Sequence, residues 1–132
     1  MKQLHYLLLG FILISGNVAC KKDSPDQTLR NGTYTGTFTV RYQNSVQTTA
    51  ASLTLANGRF SCTNNFVPGT GSGTFSYTTS TLSFQDEGVW TANFDWNLIL
   101  NGDYSYTFDG KTLRFSADKN DVGNYSYELV LQ

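Results

Sequence analysis

From Asn31 to the C-terminus, apolar and polar residues alternate with a period of two, and a helical spacing of apolar residues never persists. In NGTYTGTFTVRYQ, residues 31–43, one face carries Tyr34, Gly36, Phe38, Val40 and Tyr42. The other carries Thr33, Thr35, Thr37, Thr39 and Arg41. This alternation predicts a half-buried strand. Repeated between turn signals, it predicts strands near residues 33–42, 47–56, 59–64, 73–78, 81–85, 89–99, 103–108, 111–117 and 124–131.

The turns test the register, because residues directly opposite in a hairpin must share a face. A two-residue turn at Asn57-Gly58 sets Leu55 against Phe60 and Leu53 against Cys62. Thr79-Ser80 sets Tyr77 against Leu82 and Phe75 against Phe84. Asp109-Gly110 sets Tyr106 against Leu113 and Tyr104 against Phe115. At Asn101-Gly102 a two-residue turn would mix the faces. A three-residue loop with Gly102 at positive φ instead opposes Leu98 to Tyr104, Trp96 to Tyr106 and Phe94 to Phe108. The same device at Asp86-Glu87-Gly88 pairs Phe84 with Trp90 and Leu82 with Ala92.

Short connections favour sequence neighbours as spatial neighbours. The expected architecture is an all-β, antiparallel up-and-down meander of about eight to nine strands that removes its edges by closing into a barrel. Asn93, Asp95, Asn97, Ser105, Thr107, Thr112 and Arg114 fall on the outer face. That polar wall excludes a barrel that spans a membrane.

The first thirty residues follow a different rule. Lys2 precedes an apolar block, Tyr6 to Ile14, which is short of the ~20 residues of a permanent membrane helix and suits an export signal. Small residues then lead to Asn17-Val18-Ala19-Cys20, which resembles the lipobox of bacterial lipoproteins, with Asn17 where that family usually has Leu. The resemblance implies cleavage after residue 19, acylation of Cys20 and attachment to a membrane through its lipid. An ordinary signal peptide, leaving Cys20 a free thiol, is the alternative. Lys21, where an inner-membrane retention signal would place Asp, implies outer-membrane delivery on the periplasmic or cell-surface side. Lys22-Asp23 is similar to charged surface-export signals and serves equally well as a solvated tether. The organisation expected is a signal peptide over 1–19, a lipidated tether over 20–30 and one barrel domain over 31–132.

Charge and missing residues narrow the chemistry. From residue 20 onward there are 8 basic and 10 acidic groups, giving no basic field for nucleic acid. The single histidine, His5, lies in the signal segment, so the mature chain has no histidine for Ser-His-Asp, Cys-His or most zinc sites. The register brings carboxylates together only on turns, at Asp86-Glu87 and at Asp118 with Asp121. No catalytic residue, metal site or cofactor is expected, and the protein reads as a non-enzyme. Cys62, on a strand without a disulfide partner, reads as a small buried side chain. Gly69-Thr70-Gly71-Ser72-Gly73 lacks the Lys of a phosphate loop and reads as a flexible loop, with a lid as the lesser alternative. Residues 118–123 imitate a calcium loop, but Val122 occupies a ligand position, so they read as a turn.

The inner face holds most of the aromatic rings and seven tyrosines, and each buried hydroxyl needs a partner. Two arrangements meet that need: a cavity holding an amphipathic molecule, or a packed interior whose tyrosines reach the rims. Gly32-Thr33-Tyr34 sits where lipocalin-like (calycin) barrels carry Gly-x-Trp, and with the meander pattern the chain resembles that superfamily. The resemblance implies a small hydrophobic ligand in the barrel mouth. Trp90, Phe94, Trp96, Tyr104 and Tyr106 are the candidate lining residues, supplying apolar walls with hydroxyl handles. The rival reading is a surface interaction module or inhibitor that presents loops such as 64–73, with Phe66 and Val67, to an envelope protein.

Overall fold

The computed structural model describes residues 28–132; the lipobox-like segment and most of the tether lie outside them. Eight strands form one closed barrel in which every sequence neighbour is a spatial neighbour. They are β1 (Gly32–Tyr42), β2 (Ser45–Ala56), β3 (Arg59–Asn64), β4 (Thr70–Tyr77), β5 (Thr81–Asp86), β6 (Gly102–Phe108), β7 (Thr112–Lys119) and β8 (Gly123–Leu131). β1 and β8 close the ring antiparallel, from Tyr34 opposite Leu131 to Tyr42 opposite Gly123. The all-β meander and its closure are as the alternation predicts.

The strand expected over 89–99 is absent. β5 pairs directly with β6, with Leu82 opposite Tyr104 and Phe84 opposite Gly102, and residues 87–101 leave the sheet as a loop. Closure explains the count. In an up-and-down meander the first and last strands run antiparallel only when the number of strands is even, so a ninth strand would force a parallel seam. Gly102 does have positive φ, +92°, but it begins β6 rather than a hairpin bulge. Gly88 has no such φ. The Trp90 ring lies where its Cβ would be, 2.5 Å away.

Two of the expected hairpin registers are present, with Leu55 opposite Phe60 and Tyr77 opposite Leu82. The third is shifted. Phe108 faces Leu113 and Tyr106 faces Phe115, because the Asp109 carboxylate accepts from the amides of Lys111 (2.9 Å) and Thr112 (2.7 Å) and lengthens the turn. The shift is by two residues, so every side chain keeps its face. The glycine-rich run is not a loop either. β4 begins at Thr70, and a Cβ on Gly73 would collide with the carbonyl of Gln85 across the pair. Residues 120–122 do form the β7–β8 turn, with Asn120 and Asp121 at φ of 51° and 54°.

The interior is filled by side chains. Phe38, Tyr127 and Phe115 stack in sequence at centroid distances of 4.1 and 4.5 Å. Phe84 and Phe60 continue the series at 5.5 and 5.0 Å. Val40, Leu53, Leu55, Leu82, Leu113 and Leu129 pack around the rings, fully buried. Of the two arrangements open to the inner tyrosines, the packed one is present: the Tyr34 hydroxyl reaches the Arg30 carbonyl (2.6 Å) at one end, and Tyr42 and Tyr125 reach Asp95 at the other. Tyr127 is the exception; its buried hydroxyl lacks a nitrogen or oxygen partner and faces the Cys62 thiol. The outer wall is polar, with Thr35, Thr37, Arg41, Ser105, Thr107, Arg114 and Glu128 exposed. Core residues run from Leu29 to Leu129, so among the described residues the barrel closes its own interior.

Candidate functional site

The meander divides the connections between two ends. Residues 28–31, the β2–β3, β4–β5 and β6–β7 turns and the C-terminus lie at one end, where Leu29 is buried. At the other end lie the β1–β2 turn, the β3–β4 loop, the β7–β8 turn and the long connection over 87–101. The second end carries the exposed apolar side chains Val67, Val89, Trp96 and Val122 on its connections, with Val46 one residue into β2.

The long loop is clasped to the barrel at two points. Asp95 caps a short 3₁₀ turn, Trp96–Leu98, by accepting from the Asn97 amide through Oδ1 at 3.0 Å. Its other oxygen, Oδ2, accepts from the hydroxyls of Tyr42 (2.8 Å) and Tyr125 (2.6 Å), at the ends of β1 and β8 that meet at this mouth. Burial pushes the Asp95 carboxyl upward, but the hydroxyls of Tyr125 and Tyr42 and the Asn97 amide together hold it below its ordinary value.

Lys119, the last residue of β7, makes the second clasp. Its Nζ donates to the carbonyls of Asn97 (3.1 Å), Ile99 (3.1 Å) and Asn101 (3.2 Å), so one ammonium gathers three alternate residues of the loop. It also sits over the Tyr104 ring at 4.9 Å and the Tyr125 ring at 5.5 Å. Burial pulls the amine down to about 8, with the Asp95 charge opposing. Between the clasps the loop lowers Leu98 and Leu100 onto the core at the barrel mouth, and Ile99 between them is buried without joining that core.

Outside the clasps stand both tryptophans of the chain. Phe94 and Trp96 stack at 5.6 Å with an interplanar angle of 7°, and Trp90 meets Phe94 edge-on at 6.3 Å. The Trp90 indole donates to Asp86 at 2.6 Å, and Trp96 is 53% exposed.

The five residues expected to line one site therefore separate. Trp90, Phe94 and Trp96 come together, but on the loop and outside the barrel. Tyr104 lies in the core beneath Lys119. Tyr106 belongs to the opposite end, where its hydroxyl donates to the Thr78 carbonyl at 2.5 Å and its ring meets Tyr77. A cleft of about 630 Å³ adjoins this second pair, lined also by Arg114 and Asp109. Of the rival contact residues, Val67 is 62% exposed, whereas Phe66 folds inward against Phe38 at 5.4 Å. Cys62 is buried, and desolvation pushes its thiol up to about 11.

Asp95 and Lys119 are the residues that pattern reading misses. Asp95 falls on the polar side of an apparent strand, and Lys119 reads as a turn residue. The one available signal is Asp95-Trp96-Asn97, a side-chain cap for a helical turn. No known protein family matches this chain, and neither a curated protein nor a solved structure matches it.

Proposed function

We propose that this is a non-enzymatic, lipid-anchored envelope protein that uses a filled barrel as a rigid mount for an aromatic loop engaging another envelope protein. The supporting observation is the placement of both tryptophans outside a packed interior, on a loop clasped by Asp95 and Lys119. Rigid, partly exposed Trp and Phe side chains are the kind that dominate binding energy at protein interfaces, and a fixed loop loses little entropy on docking. A ligand held along the barrel axis, the expectation drawn from the lipocalin-like pattern, would have to displace the ring stack of Phe38, Tyr127 and Phe115.

The orientation suits this role. Lipid on Cys20 would attach the membrane at the end where residues 28–31 enter, leaving the loop at the end facing away. Lys21 after the lipidated cysteine supports outer-membrane delivery. A photo-crosslinking residue at position 96, in the full chain expressed in cells, tests the reading. It should trap one discrete protein that the same probe at Thr107 does not. Equal trapping from both positions, or none from position 96, removes it.

A further inference from the structure

We infer that the outer edge of β2 from Val46 to Ala50 is a docking surface for an extended, uncharged segment of another envelope protein, which it binds as an added strand. β2 outruns its neighbour. Its pairing with β1 begins at Ser45, but its pairing with β3 stops at Ala51, opposite Asn64. Along a paired strand the backbone groups alternate sides. Tyr42 and Ser45 close the β1–β2 turn, so Ser45, Gln47 and Thr49 bond to β1, and Val46, Thr48 and Ala50 direct their N–H and C=O groups away from it. The Thr39 and Thr48 hydroxyls meet at 3.0 Å, the close side-chain approach of a pair without backbone bonds between its members. Three amides and three carbonyls thus stand in a row with no protein partner among the described residues.

Other strand overhangs in the barrel are capped. The Phe75 amide donates to the Gly58 carbonyl (2.9 Å), the Tyr106 amide to the Ser80 carbonyl (3.1 Å) and the Asp86 amide to the Asn101 side chain (2.9 Å). The β3–β4 loop follows the last β2–β3 pair but turns on itself. Its Asn64 amide donates to the Gly69 carbonyl at 2.8 Å, and its Phe66 amide donates to the Asn64 side chain at 2.8 Å. Exposed edges are ordinarily guarded by a charge, a proline or a bulge. Residues 43–51 hold no charge and no proline, the register with β1 is unbroken, and Val46 and Thr48 favour extended backbone. Ser45 to Thr48 are all exposed. A groove of about 430 Å³ opens where β3 departs, beside Ala50, Ala51, Asn64 and Asn65.

Charge and orientation select the occupant. Between Arg41 and Asp86 the single charged residue is Arg59, and Glu87 pairs with it at 2.7 Å. A charged side chain carried onto this edge would lose water and meet no opposite charge, so the segment is uncharged where it pairs. A second copy would pair antiparallel with the same edge about a twofold axis, which turns the two barrels end for end. Copies anchored in one leaflet point the same way, so the strand comes from a different protein. That step alone rests on the lipid-anchored reading. The edge lies at the end of the barrel that carries the aromatic loop but shares no residue with it.

Residues 21–132 hold every strand and core residue. In that chain, amide exchange followed by nuclear magnetic resonance should be fast at Val46, Thr48 and Ala50 and about a hundredfold slower at Gln47 and Thr49. The probe is a peptide of residues 33–40, TYTGTFTV, blocked at both ends, an uncharged strand former. At about ten times its Kd it should slow exchange of the three edge amides about tenfold. Thr48→Pro deletes an amide that bonds nothing in the barrel, so the variant should fold and bind the peptide about tenfold more weakly, one hydrogen bond being worth roughly that factor. A peptide with prolines at alternate positions serves if that variant does not fold. Thr35→Asp with Thr37→Asp in the peptide should also weaken binding about tenfold. Trp96→Ala in the protein should bind the peptide as wild type does, which separates failure of the edge from failure of the aromatic loop. Slow exchange at the three amides in the free protein, a peptide that protects none of them, or equal binding by folded Thr48→Pro or by the charged peptide overturns the inference. Sedimentation as a dimer that Thr48→Pro dissociates also overturns it, by assigning the edge to a second copy.

Discussion

Replacing Lys119 by Met keeps a long apolar stem and deletes the ammonium that gathers the carbonyls of Asn97, Ile99 and Asn101. Two large terms oppose one another. The lost charge-assisted hydrogen bonds are worth about 1.5–3 kcal/mol each before the loop carbonyls find water. Against this, a lysine moved from 10.5 to about 8 destabilises the folded protein by roughly 3 kcal/mol at neutral pH, since each pKa unit is about 1.4 kcal/mol. The carbonyls can be hydrated by lifting the loop, so the barrel should keep its stability to within about 1 kcal/mol while the loop comes free. Trp90 and Trp96 emission should shift to the red, and loop amides should exchange faster than strand amides.

The pH dependence supplies the stricter check. A lysine whose folded pKa lies below its unfolded one binds more protons in the unfolded chain, so stability rises with pH across the window from about 8 to 10.5. Between about pH 7 and pH 9.5 this one group should add about 2 kcal/mol to the wild-type protein. Cys62 works in the opposite sense, because its raised folded pKa means that stability is lost as pH climbs from its unfolded value of 9.0 towards about 11. That loss, like any from the tyrosines, is common to both proteins and cancels in their difference. Urea unfolding of wild type and Lys119→Met at the two pH values isolates the lysine. Identical pH slopes, or unshifted tryptophan emission in the variant, would refute the clasp.

Tyr127→Phe removes a buried hydroxyl without a nitrogen or oxygen partner while keeping the ring stack, so denaturant unfolding should show unchanged or increased stability, by up to about 1 kcal/mol. Gly36→Ala should be severe, because a Cβ there would collide with the Glu128 carbonyl in the β1–β8 seam; a loss of about 3 kcal/mol or more, or failure to close, should appear in thermal unfolding. Cys62 should resist a thiol reagent in the native protein at about pH 8 and react fully in urea; fast native labelling would contradict its burial.

The inward set was legible in the sequence because a strand offers only two faces. Once Tyr34, Phe38 and Val40 share parity, their burial follows from the pattern, and the turns at Asn57-Gly58 and Thr79-Ser80 carry it across the sheet. At Asp109 the pattern could not resolve a shift of two residues, since such a shift preserves parity and only the carboxylate's capture of two amides selects it. The polar outer wall and the buried Cys62 were legible for the same reason. Residues 89–99 were not, because Trp90, Phe94, Trp96 and Leu98 alternate as well as any strand of the barrel. Whether they pair is decided by partners far away in the chain. An even strand count lets β1 meet β8 antiparallel, and Tyr42, Lys119 and Tyr125 come together only when that seam closes. Local alternation determined which residues face inward; ring closure alone determined which run was left over to cover the mouth.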